Sequence, residues 1–256
     1  MTLNHSLDGR VALVSGASSG IGRHLSLRLA AAGAKVILGA RRTDRTQDLA
    51  CQIEKAGGQA LAVPLDVVDE ASVGEAYDRG EAHFGTVDTI IANAGVSRAG
   101  RSTDVSAQDL KTVFDTNLLG LYLTVRTGAK RMIEAGMRDS AGGRVVLIGS
   151  VTADMTNQGD AAYAASKAGV AHLGRQFARE WVRQGINVNT IQPGYIRTEM
   201  ADEWFDSDGG KAQIASWHRR RLMDLETLDD MALYLASDAS RFVTGSAITI
   251  DDGQGL

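Results

Sequence analysis

Short apolar runs alternate along this chain with stretches of helical length, and that alternation restricts its fold more than any other feature. The runs fall at residues 11–15, 35–39, 60–63, 88–92, 144–148, 187–191 and 247–250. Helix-length segments at 21–32, 43–56, 70–84, 106–135 and 160–183 separate most of them. Gly33 and the pair Gly57-Gly58 stop the first two helices. Strands that are apolar on both faces belong inside a parallel sheet. Strand–helix alternation then predicts one doubly wound α/β sheet, with right-handed crossovers placing helices on both faces. A length of 256 residues, 44% of them apolar, fits one large domain spanning 1–256. The only prolines are Pro64 and Pro193, and no linker or repeat interrupts the pattern. The segment 198–221 is polar but carries Trp204, Phe205 and Trp217, and it contains Gly209-Gly210. It reads either as a substrate lid or as a variable surface excursion.

Composition narrows the partners. A net charge of −4 gives no basic footprint for nucleic acid. One cysteine, Cys51, allows neither an intrachain disulfide nor a sulfur-rich metal site, and no metal is expected. Residues 1–10 lack the apolar core of a signal peptide, and no run approaches the ~20 apolar residues of a membrane span. The expectation is a soluble, cytoplasmic protein.

The first apolar run enters Ser15-Gly16-Ala17-Ser18-Ser19-Gly20-Ile21-Gly22. Glycines at a strand-to-helix junction let the backbone turn sharply and approach a ligand closely. The free N–H groups at the helix start suit a pyrophosphate. The alternative is a tight turn with close helix–strand packing and no ligand. Two further strand ends agree with a nucleotide. Asp66, in Leu65-Asp66-Val67, can accept from an adenine amino group, or can cap the next helix. Asn93-Ala94-Gly95 offers small residues beside which a cofactor can pass, or a plain turn. All lie at the carboxyl edge, where open α/β sheets bind ligands.

Tyr163 and Lys167 stand four apart near the start of a long helix and so share a face. A phenol has a pKa of ~10, and a neighbouring ammonium favours the phenolate. On that basis Tyr163 can exchange a proton with an alcohol or carbonyl oxygen. Ser150 ends the fifth run and can bond the same oxygen. Asn117 sits inside the long helix 106–135, where Asn is a poor fit. It can bend that helix or hold a water behind Lys167. Alone, each of these residues has an ordinary structural reading. Their order and their placement at element ends carry the signal.

The set Gly16-x-x-x-Gly20-Ile21-Gly22, Asn93-Ala94-Gly95, Asn117, Ser150, Tyr163-x-x-x-Lys167 and Pro193-Gly194 resembles the short-chain dehydrogenase/reductase family over nearly the whole chain. The resemblance implies a single-domain Rossmann-type fold with about seven parallel strands. It implies that Tyr163 is the general acid/base and that Ser150 polarises the substrate oxygen. Lys167 would lower the Tyr163 pKa and bind the nicotinamide ribose, and Asn117 would support a proton-relay water. Ile196 and Thr198 stand where the family contacts the nicotinamide carboxamide. Small departures are Ala92 before Asn93, Ser15 for a usual Thr, and Asp251-Asp252-Gly253 near the C-terminus. The implied activity is interconversion of an alcohol and a ketone. The pattern is similar to 3-oxoacyl-carrier-protein reductases and to dehydrogenases of sugar, steroid or xenobiotic alcohols. A catalytically silent sensor on the same fold is the rival reading, although such proteins usually lose Tyr or Lys. Arg219, Arg220 and Arg221 read as a solvated basic face or as contacts to an anionic substrate.

Two expectations remain. The run Leu118, Leu119, Leu121, Tyr122 and Leu123 is apolar on more than one helix face. Family members pair such helices, so a homo-oligomer, in particular a homotetramer, is expected. At the end of the second run, NAD-binding relatives place an acid. Here Ala40 takes that position, followed by Arg41 and Arg42. This favours NADPH over NADH, with Arg41 the foremost phosphate contact and Arg42 over the adenine or facing solvent.

Overall fold

The computed structural model describes residues 5–199 and 202–256. Residues 1–4 and two positions of the expected lid, Met200 and Ala201, lie outside them. Seven strands form one sheet: β1 (Val11–Ser15), β2 (Lys35–Ala40), β3 (Gln59–Pro64), β4 (Thr89–Ala92), β5 (Gly143–Ile148), β6 (Ile186–Pro193) and β7 (Ala247–Ile250). Their order is β3-β2-β1-β4-β5-β6-β7, and every neighbouring pair is parallel. The order reverses between β1 and β4, which opens a crevice at the carboxyl edge. Ser15 there lies opposite Gly39 on one side and Ala92 on the other.

Helices cover both faces. Helices α1 (Gly20–Ala31), α2 (Thr43–Lys55) and α9 (Asp229–Ala236) pack Leu25, Leu29, Leu49, Ile53 and Leu235 into one apolar layer with Val14, Leu38 and Ile191. Helices α3 (Glu70–Phe84), α5 (Leu121–Glu134) and α6 (Ala161–Trp181) bury Val73, Tyr77, Val125, Met132, Val170 and Phe177 against Leu13, Ile90 and Leu147. The two layers hold the sheet rigid, so the loops at its carboxyl edge carry the ligand-facing groups. Among the described residues no helix is long and apolar enough to cross a membrane.

Three segments differ from the sequence expectation. The single helix expected over 106–135 is α4 (Ala107–Phe114) and α5, joined by a π-helical turn at Asp115–Gly120. The extra residue of that turn surrounds Asn117, consistent with the functional placement of such bulges. The helix expected to reach 183 ends as α6 at Trp181 and tightens over Val182–Gln184 before Gly185. The lid segment is not irregular but holds two short helices, α7 (Asp202–Asp206) and α8 (Asp208–Ser216). Its aromatics form a small core, with Tyr195 stacked on Trp217 at 5.1 Å and edge-on to Phe205 at 5.8 Å.

Candidate active site

The glycine turn is held by geometry that excludes side chains. Gly16 has φ +70°, and a Cβ there would lie 2.9 Å from the Ala94 Cα. A Cβ on Gly22 would meet the Gly16 carbonyl oxygen and the Asn93 amide nitrogen, each at 2.4 Å. Ser15 and Asn93 lock β1 to β4 around this turn. The Ser15 hydroxyl accepts from the Asn93 and Ala94 N–H groups at 3.1 and 3.2 Å, and Asn93 Nδ2 donates to the Ser15 carbonyl at 3.1 Å. The helix beyond begins without a side-chain cap at Ser19. Its first N–H groups therefore point unclaimed at the crevice, a fit for an anionic pyrophosphate.

A cleft of about 1160 Å³ runs along this edge. It is lined at one end by Gly16, Ser18, Ser19, Gly20 and Ile21, and at the other by Ser150, Tyr163 and Lys167. Asp66, Val67, Asn93, Ala94, Gly95, Pro193, Gly194, Ile196 and Thr198 lie on its walls. Gly22 sits behind the turn and does not line the cleft. Asp66 does not cap α3. That cap is Asp69, which accepts from Ala71 N at 2.9 Å, while among the described residues the Asp66 side chain accepts only from Val68 N at 3.3 Å. The Thr198 methyl stands 3.6 Å from where a Cβ on Gly20 would be, so the chain after β6 crosses over the start of α1.

At the rim, Arg42 turns back onto the glycine turn. Its guanidinium donates to Ser18 Oγ at 3.0 Å and to Ser19 Oγ at 2.6 Å. Arg41 lines the same rim, and among the described residues its guanidinium makes no hydrogen bond or ion pair. Arg42 stays largely exposed, as one of its two expected placements had it, while the two serines draw its guanidinium over the glycine turn next to Arg41. Glu199 bridges the rim from the other side. It accepts from Arg45 at 2.8 and 3.0 Å and reaches Arg42 at 3.5 Å, and these cations hold its carboxyl below the usual range.

At the far end, α6 brings Tyr163 and Lys167 beneath Ser150. Lys167 is 4% exposed, donates to the Ile148 carbonyl at 2.8 Å, and lies 5.5 Å from the Tyr163 ring centre. Ser150 caps the short turn Val151–Ala153, accepting from Thr152 N at 3.2 Å. Asn117 is 1% exposed and clamps the loop after β4 to α6. Its Oδ1 accepts from Val96 N at 2.8 Å, and its Nδ2 donates to Val96 O at 3.0 Å and to Ser166 Oγ at 2.9 Å. These partners bridge neighbouring segments and so explain the π turn: the widened helix aims the amide at both.

The electrostatics correct one expectation. Tyr163 was expected to be acidified by Lys167, but burial pushes its hydroxyl up to about 12. The Ser150 hydrogen bond pulls it down, and the neighbouring Asp160 carboxylate pushes it up further. A phenolate loses much solvation in such a place. The same burial lowers Lys167 to about 8, which leaves it mostly charged at neutral pH. Tyr163 keeps some exposed surface although its hydroxyl environment is dense. At neutral pH it is a phenol, ready to donate.

The sequence reading did not single out Asp160, Ser97, Tyr195 or Asn157, which line the cleft beyond Tyr163. Asp160 could have been found from its spacing, since i and i+3 share a helix face with Tyr163. Ser97 and Asn157 lie on loops whose approach is tertiary.

Residues 10–209 match the short chain dehydrogenase family. D-threitol dehydrogenase of Mycolicibacterium smegmatis is 35% identical over 247 residues, covering 96% of this chain and 93% of that protein. The 3-oxoacyl-[acyl-carrier-protein] reductase of Escherichia coli is 33% identical over 248 residues, covering 97% and 98%. Among solved structures, a gluconate 5-dehydrogenase from Burkholderia cenocepacia in complex with NADP and tartrate superposes with a TM-score of 0.92 at 31% identity, covering 98% and 97%.

Proposed function

The chain belongs to the short-chain dehydrogenase family and is an NAD(P)-dependent oxidoreductase of alcohols and ketones; from that premise we propose that it works with NADPH and uses Tyr163 as its proton donor. The observation that carries this reading is one continuous cleft. It joins a glycine-rich turn bordered by Arg41 and Arg42 to the cluster Ser150, Tyr163 and Lys167.

The residues present fit a dinucleotide. Gly16 and Gly22 let the turn pack with no room for a Cβ, and the uncapped start of α1 offers N–H groups to the cleft. Arg41 and Arg42 would hold a 2′-phosphate by charge-assisted hydrogen bonds, and β2 ends in Ala40 without the acid that would repel it. Asp66 and Val67 would flank the adenine, and Asn93, Ala94 and Gly95 the sugar chain. Pro193, Gly194, Ile196 and Thr198 would hold the nicotinamide side. When bound, the dihydronicotinamide supplies the hydride.

The chain's own part is proton transfer and orientation. Ser150 donates to the substrate carbonyl oxygen and fixes its position. Tyr163 gives its proton to that oxygen as negative charge develops there. Lys167 holds the ribose and supplies positive charge behind the phenol. Asn117 holds the loop and α6 in register, and a water reaching Tyr163 through the cleft would return the proton. A silent sensor is disfavoured, because Tyr163, Lys167 and Ser150 sit together with no group blocking them. The protein is further proposed to be a cytoplasmic homotetramer.

The test is a screen of purified protein with ketones and alcohols, using both nicotinamide cofactors. The reading predicts turnover of at least one ketone, faster with NADPH than with NADH. Binding of neither cofactor would overturn it.

A further inference from the structure

Asp160 holds the position that caps α6, yet its side chain makes no cap. Asp is among the strongest capping residues, and Asp69, Ser106 and Ser207 all cap their helices here. Asp160 instead turns into the cleft, three residues before Tyr163. Its Oδ1 accepts from Ser97 Oγ at 3.0 Å, and among the described residues Oδ2 has no partner. Among the described residues no cation pairs with it either.

Around it the polar groups satisfy one another. Asn157 Nδ2 donates to the Tyr195 hydroxyl at 2.5 Å, and Trp204 Nε1 donates to Gln213 at 2.7 Å. The loop after β4 is tied to the loop before α6 by Gly100 N to Gly159 O at 2.8 Å. The ionisable groups lining this end are Tyr163 and Lys167 on α6, Tyr195 after β6 and Arg101 on the loop after β4.

We propose that Asp160 accepts a hydrogen bond from a substrate hydroxyl near the reacting carbon, so that the enzyme takes small polyhydroxylated ketones and alcohols rather than acyl thioesters. This rests on the dehydrogenase reading above and specifies its substrate. A half-satisfied carboxylate in a cleft is stabilised by a donor and penalised by an acyl chain, which would strip its water and return nothing. Burial raises Asp160 to about 6, against the lowering effect of Ser97, so it is ionised at neutral pH. Ionised, it accepts from a hydroxyl. Protonated, below that value, it is a neutral acid and a weaker acceptor.

The test compares 1,3,4-trihydroxybutan-2-one with butan-2-one, both reduced with NADPH, in the wild type and in Asp160→Ala and Asp160→Asn. The expected wild-type ratio of kcat/KM favours the hydroxylated ketone by roughly tenfold or more, the scale of one hydrogen bond to a charged group. That ratio should collapse roughly ten- to a hundredfold in Asp160→Ala. The KM for the hydroxylated ketone should rise as pH falls through about 6 in the wild type, and this dependence should vanish in Asp160→Asn. Thermal unfolding gives a readout independent of activity. Ionising a buried, half-partnered carboxylate costs stability, so Asp160→Asn should melt higher than the wild type at pH 8 and lose that gain towards pH 4. Equal losses for both ketones, a lower melting point in the Asn variant, or preference for an amino ketone or an acyl thioester would overturn the inference. Reduction of butan-2-one without any hydroxyl preference would leave the dehydrogenase reading standing and remove only this one. A wild type that reduces no ketone would remove both.

Discussion

Burial acts on Tyr163 and Lys167 together, raising one and lowering the other. The Lys167 value of about 8 against an unfolded 10.5 means that charging it in place costs about 3 kcal/mol at pH 7. Its hydrogen bond to Ile148 O returns part of that, about 1.5 kcal/mol. Lys167→Met should therefore be more stable to urea by roughly 1–2 kcal/mol at pH 7 while losing activity. Between about 8 and 10.5 the unfolded chain holds a proton that the folded chain does not, so wild-type stability gains with pH there. The advantage of the variant should shrink accordingly, and a variant less stable than wild type at pH 7 contradicts the argument. Arg41 and Arg42 divide differently. Arg42 is already seated on Ser18 and Ser19, whereas Arg41 has no protein partner among the described residues. Each Ala variant should lower the NADPH-to-NADH ratio of kcat/KM by about tenfold, the scale of one lost charge-assisted bond. An unchanged ratio in both would exclude a phosphate at this rim.

At the scale of elements, Glu199 ties the start of the lid to Arg45 at the head of α2. A carboxylate there competes with a phosphate for the Arg42 guanidinium, which it reaches at 3.5 Å. Glu199→Gln should tighten NADPH binding roughly two- to fivefold, since exposed pairs are worth at most about 1 kcal/mol, and leave NADH binding nearly unchanged. Fluorescence titration reads both constants, and equal shifts would show that Glu199 acts on the lid alone. The strands were legible because buried parallel strands need nothing but a short apolar run, and β1 and β7 fall where the runs do. The π turn was not, because its cause lies elsewhere. Asn117 is a weak helix residue in the sequence, but Val96 and Ser166 decide how the helix yields to it. The helices α7 and α8 were missed for a similar reason. They span 5 and 9 residues, too short to be stable alone, and they form against Tyr195, Phe205 and Trp217. The glycine turn and Tyr163-x-x-x-Lys167 were readable since their chemistry is local. Asp160 and Glu199 meet their partners only across loops.

Among the described residues, several large apolar side chains are exposed on two stretches of the chain that could serve as interfaces. One comprises Leu110, Leu119, Tyr122 and Ile133 on α4, the π turn and α5. The other includes Phe242, 86% exposed, and Leu256, 93% exposed, near the C-terminus. The proposed homotetramer would need two distinct interfaces, each buried around a two-fold axis. Light scattering at micromolar concentration should give four times the chain mass, and Phe242→Lys should yield dimers that retain the first interface. A monomer would contradict the proposal. All of this surrounds one chemical statement: the cleft delivers a proton from Tyr163 to a carbonyl oxygen held by Ser150. The direct measurement is the steady-state rate of NADPH oxidation with a reducible ketone by the wild type and by Tyr163→Phe, alongside NADPH affinity. The account predicts that Tyr163→Phe loses roughly two to four orders of magnitude in kcat and binds NADPH as the wild type does. A variant within a few-fold of the wild-type rate would contradict it.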